Sequence, residues 1–152
     1  MTDDPFVALV VEALNLMHPR FAAAGPGARG FRDEFYHQFR RLWDKALPVR
    51  LGLGHVMIQS EPDAADAPDF LLWLLGERGE SDRRLGVVAV MPAADADVPR
   101  LARWAAAHGY PHAVAVLIGW ADPVPVAPGA AILVFDTERW SATVRSPGEP
   151  AA

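Results

Sequence analysis

Apolar residues recur at helical spacing near the start of the chain and at strand spacing after Pro48, and that change of period organises the sequence. Phe6, Leu9, Val10, Ala13, Leu14 and Met17 share one helical face, Asp4 can cap that helix and Pro5 can open it. The pattern predicts a first helix to about His18. Breakers crowd residues 18–30, which predicts a loop. A second helix is expected from near Phe31, with Phe31, Phe35, Phe39, Leu42 and Trp43 on its apolar face. Asp33 and Glu34 then fall in a first turn, where the helix dipole favours negative charge.

Short extended runs follow, and five strands are expected, at residues 55–59, 70–75, 85–91, 113–119 and 131–135. Phe70, Leu72 and Leu74 alternate with Leu71, Trp73 and Leu75, so both faces of that strand are apolar and it should lie inside a sheet. Between the third and fourth strands, Asp97 can cap a helix entered through Pro99. That helix would turn Leu101, Ala102, Trp104 and Ala105 inward and end at His108-Gly109. A right-handed crossover makes strands three and four parallel, whereas the first three can form a meander. The expected architecture is one α/β domain over residues 1–145, a mixed sheet of about five strands flanked by helices. Residues 122–129 read as a stiff proline-rich connector and 146–152 as a disordered tail.

Composition narrows the chemistry. With 152 residues and 51% hydrophobic content the chain can bury a core of its own. It has no cysteine, which removes disulfides, thiolate metal sites and cysteine nucleophiles. A net charge of −5 gives no whole-molecule attraction to nucleic acid, so such contact needs a local basic face. The only lysine is Lys45, which leaves almost no scope for a catalytic lysine. The acidic segment Met1-Thr2-Asp3-Asp4-Pro5 lacks the basic region and long apolar run of a secretory signal, and no segment has membrane-spanning length. The expected location is cytoplasmic.

Pro68-Asp69 opens the apolar strand, a charged turn follows, and the next strand carries Ala89 and Met91 two residues apart. With the order helix, three strands, helix, strand, this resembles the restriction-endonuclease-like PD-(D/E)XK superfamily over roughly residues 31–135. The resemblance implies a site in which carboxylates hold magnesium. Glu34 would match its helix acid, Asp69 its proline-linked aspartate, Ala89 its second acid and Met91 its lysine, with Glu61 as a further nearby acid. Magnesium needs oxygen ligands, and Ala89 and Met91 supply neither ligand nor charge. The resemblance therefore implies a degenerate site: Glu34, Glu61 and Asp69 are vestigial candidates, and Asp69 is at most a weak metal ligand. No cofactor is expected. A plainer reading stands beside it, in which Asp69 ends a loop and caps local backbone groups.

Three functions follow as expectations. The first is a catalytically inactive nuclease-like domain, a pseudoenzyme that binds a nucleic acid or a protein, with a homodimer as one possible form. The second is a magnesium-dependent nuclease with relocated groups, Glu77 or Glu80 replacing the acid and Arg100 or Arg103 the lysine. The third is an unrelated small α/β interaction protein. Other chemistry finds little support: His18, His37, His55, His108 and His112 read as unrelated surface and cap histidines, and no serine lies in a nucleophile elbow. Arg40-Arg41 and Arg83-Arg84 are basic doublets that could form a phosphate-contacting edge, with scattered surface charge as the plainer reading. Trp73 and Trp104 are expected in the core, and Trp120 and Trp140 at exposed strand ends.

Overall fold

Helix α1 (Pro5–Asn15) begins as its sequence predicts: the Asp4 carboxylate accepts the backbone N–H groups of Phe6 at 2.8 Å and Val7 at 3.3 Å, and proline occupies the first turn. Phe6, Leu9, Val10, Ala13, Leu14 and Met17 are all buried. The helix stops at Asn15 rather than near His18, with Leu16 as its cap. In this computed structural model the described residues are 4–18, 27–43, 56–60, 67–74, 81–92, 96–118 and 127–145. The proline-rich connector up to residue 126, the 146–152 segment, Lys45, Glu61, Glu77, Glu80, His55 and Trp120 lie outside them.

Helix α2 (Gly27–Trp43) starts earlier than the expected position near Phe31. The first N–H groups of any helix have no intrahelical partner, so the glycines of Gly27-Ala28-Arg29-Gly30 are tolerated in the opening turn, where a reading by breakers predicts loop. Asp33 and Glu34 consequently lie beyond the first turn, which holds no acidic residue.

Among the described residues the sheet has six strands in chain order: β1 (Val56–Ser60), β2 (Phe70–Leu74), β3 (Arg83–Pro92), β4 (His112–Ile118), β5 (Ala131–Asp136) and β6 (Ser141–Arg145). The first three form an antiparallel meander, β3, β4 and β5 run parallel, and β6 returns antiparallel. Helix α3 (Val98–Ala107) makes the crossover from β3 to β4, with the Asp97 carboxylate accepting the N–H of Arg100 at 3.1 Å. As the two-faced apolar pattern requires, β2 is internal, between β1 and β3.

Period-two alternation sends the two faces of the sheet into separate cores. Phe70, Leu72, Val88, Val90, Val114, Val116, Leu133 and Phe135 pack under α1 and α2. Leu71, Val87, Ala89, Ala115, Leu117 and Ile132 pack against Leu101 and Ala105 of α3. Trp73 and Trp104 are half-buried at the rim of this second core rather than inside it. Trp140 is not an exposed contact residue: its ring packs edge-on against Phe31 and Phe135, and its indole N–H donates to the Met17 carbonyl at 2.6 Å. Among the described residues no helix is long and apolar enough to cross a membrane.

Candidate functional site

Strand β2 begins at Phe70, paired with Val88, and continuing that register would set Pro68 opposite Val90. Proline has no N–H to give the Val90 carbonyl. Two side chains serve Val90 instead: Asp69 Oδ2 accepts its N–H, and Arg32 Nη2 from α2 donates to its carbonyl at 3.1 Å. Arg32 Nε also lies 2.9 Å from Asp69 Oδ1. That Nε–H makes no hydrogen bond despite the short distance, so this contact is an attraction of charges rather than an aligned bond. The Asp69 carboxylate is thus engaged on both oxygens, one by a guanidinium and the other by β3.

On the α3 side of this junction lies a cavity of about 210 Å³ lined by Asp69, Ala89, Met91, Asp97 and Arg100, among others. Strand spacing brings Ala89 and Met91 to the same wall, and Pro68-Asp69 supplies the neighbouring one. The sequence pattern therefore gathers three of its named positions into one place. It does not gather Glu34. That residue accepts a hydrogen bond at 2.7 Å from Gln38, one helical turn on, and is absent from the cavity lining. Two residues along a helix are about 200° apart, so the α2 side chain that reaches Asp69 is Arg32 and Glu34 leaves on the other flank of the buried face. His37, a possible companion of Glu34, is exposed.

The set can be judged against magnesium on its own chemistry. A hard divalent cation takes several oxygen ligands, commonly from paired carboxylates. The described lining offers Asp69, held by Arg32 and Val90, and Asp97, whose Oδ1 caps α3. Ala89 is only 6% exposed and Met91 carries a thioether, so neither adds a hard ligand. A guanidinium beside the one carboxylate at the strand junction already supplies the positive charge a metal would bring, and a second cation there would be repelled. These residues do not fit magnesium.

Neither Arg32 nor Asp97 is marked by the sequence as a residue of this site. Arg32 follows Phe31 on the edge of the apolar face of α2, and only a register linking that helix to the Pro68-Asp69 junction could have singled it out. Asp97 reads as a helix cap, which it is, yet the crossover also carries it into the cavity. Of the arginines named as substitutes for the missing lysine, Arg100 lines the cavity and Arg103 does not. No family model matches the chain, and no curated protein or solved structure shows significant similarity to it.

Proposed function

We propose that this chain is a nuclease-like domain that does not cut nucleic acid and acts as a binding module for a nucleic acid or protein partner. The observation that carries the reading is the Arg32 guanidinium 2.9 Å from Asp69, a carboxylate that lines the same cavity as Ala89 and Met91. A phosphodiester is cleaved when a cation and its carboxylates stabilise the charge that grows on the phosphoryl oxygens, and a base or metal activates water. Here the carboxylate's charge is spent on an arginine that ties α2 to β3. Neither Ala89 nor Met91 can orient water or stabilise a leaving oxygen.

Arg100 in the cavity wall gives the relocated-nuclease reading its one support, because a guanidinium could take over the electrostatic part of the lysine's work. One assay separates the two. Purified chain incubated with magnesium or manganese should leave duplex DNA, single-stranded DNA and RNA intact. Cleavage that scales with protein concentration and vanishes in both Asp69→Ala and Arg100→Ala would establish the relocated nuclease instead.

A further inference from the structure

At the opposite end of β3 from Asp69, the pairing with β2 slips: Leu72 faces Gly86, but Trp73 faces Arg84, leaving Leu85 without a partner. Such a bulge reverses the alternation of side chains beyond it. Val87 faces α3 and Gly86 faces Phe6 of α1, so a regular strand would point Arg84 toward α1. With the bulge, Leu85 joins the core under α1, and Arg84 comes out on the α3 face beside Trp73. Its guanidinium sits 5.7 Å from the centre of the Tyr110 ring, and Gly109, at φ 74°, leaves room where a Cβ would lie 3.2 Å from Arg84 Nη1.

The result is an open groove of about 950 Å³ whose lining includes Gln59, Trp73, Arg83, Arg84 and Tyr110. Behind it the rings continue as a stack, with Tyr110 on Trp104 at 5.9 Å and Trp104 on His108 at 3.9 Å. Asp82 lies in the same lining, so the described charges there are two guanidiniums against one carboxylate, with His112 at the rim turned to Asp4 at 3.0 Å. Burial raises the Tyr110 pKa, partly offset by the charge of Arg84, so this ring stays a neutral phenol at physiological pH.

We infer that this groove binds single-stranded nucleic acid, with Arg83 and Arg84 on the phosphates, Trp73 under an unstacked base and Tyr110 holding the Arg84 guanidinium in place. The inference rests on the binding-module reading and gives it a surface and a ligand class. An aromatic face with an adjacent guanidinium suits bases, which all present a π-face, and Gln59 offers both a donor and an acceptor to a base edge. A duplex hides its bases. The protein's net charge of −5 gives it no general attraction to a polyanion, so affinity must come from the Trp73 ring and the two arginines together.

The test is fluorescence anisotropy of a short labelled oligothymidylate, with tryptophan quenching as a second readout. Two phosphate contacts predict that log affinity falls with log salt at a slope of about −1.4, and Arg83→Ala with Arg84→Ala should flatten it. Trp73→Leu should weaken binding by at least about fivefold, and Trp73→Phe, which keeps a ring and guards against a folding artefact, should retain most of it. The inference is overturned by the absence of saturable binding, by Trp73→Leu binding like the parent, by duplex binding equally well, or by an oligoglutamate peptide binding more tightly. Metal-dependent cutting of the bound strand would overturn the non-catalytic reading and leave the groove standing, whereas an intact, unbound strand would do the reverse.

Discussion

Arg32, Asp69 and Val90 form a junction joined by two hydrogen bonds and one ion pair. Arg32 satisfies the Val90 carbonyl and neutralises Asp69, and Asp69 satisfies the Val90 N–H. Removing the arginine takes a guanidinium from a half-buried carboxylate and a donor from the Val90 carbonyl. Arg32→Ala should therefore destabilise the protein by about 1–3 kcal/mol, read as a fall in the urea midpoint. Arg32→Lys should recover little, since one ammonium cannot serve a carboxylate and a carbonyl with the same fork. Asp69 was legible in the sequence because proline and aspartate precede an apolar run. Arg32 was not, because its partner lies 37 residues away and becomes a neighbour only when α2 docks on the sheet (69 minus 32). The plainer reading of Asp69 expected it to cap local backbone groups, whereas the N–H it accepts belongs to Val90, 21 residues on in the neighbouring strand.

Two elements depend on local fits that substitutions can disturb. Gly86 lies under the Phe6 ring, and an added Cβ would come within 2.6 Å of it, while the ring is fully buried and stacked on His112 at 5.5 Å. Gly86→Ala should cost about 1–3 kcal/mol in chemical unfolding. Combined with Phe6→Leu, it should cost less than the sum of the two single changes, because the smaller side chain gives the methyl room. The β5–β6 hairpin turns on Asp136, whose Oδ1 accepts the N–H groups of Glu138 at 2.9 Å and Arg139 at 3.0 Å. The Arg139 N–H bond is the main cause holding this carboxylate below its ordinary pKa of 3.8. A depressed folded pKa contributes stability above the unfolded value and loses it as pH falls through the folded one. The gap in melting temperature between parent and Asp136→Ala should be full at neutral pH and close below about pH 3.8. The hairpin's second strand escaped the sequence reading. In Ser141-Ala142-Thr143-Val144-Arg145 only Ala142 is buried, and Val144 is 45% exposed, so an edge strand shows no apolar alternation to find. The bulge at Leu85 was equally hidden, because pairing register is a property of two strands and neither sequence states it.

At the scale of the whole molecule, the described residues form one sheet with a core on each face, and the two apolar sets of β2 made an internal strand with two buried faces readable from the sequence. Phe35→Ala in the core under α2 and Leu101→Ala beneath α3 should each destabilise by about 2–5 kcal/mol. Because β3, β4 and β5 supply side chains to both cores, the two variants should each melt in a single transition monitored by far- and near-ultraviolet circular dichroism alike. The central claim concerns the cation that belongs beside Asp69. Removing Arg32 while installing Ala89→Glu and Met91→Lys should create a manganese site, at some cost from charge placed in a packed wall. The most direct measurement is the melting temperature of the unaltered protein across a manganese titration, beside Asp69→Ala. A ligand that binds only the folded state raises stability with the logarithm of its concentration. The arginine-filled junction predicts no saturable rise in the parent. A rise that saturates in the parent and is lost in Asp69→Ala would contradict it.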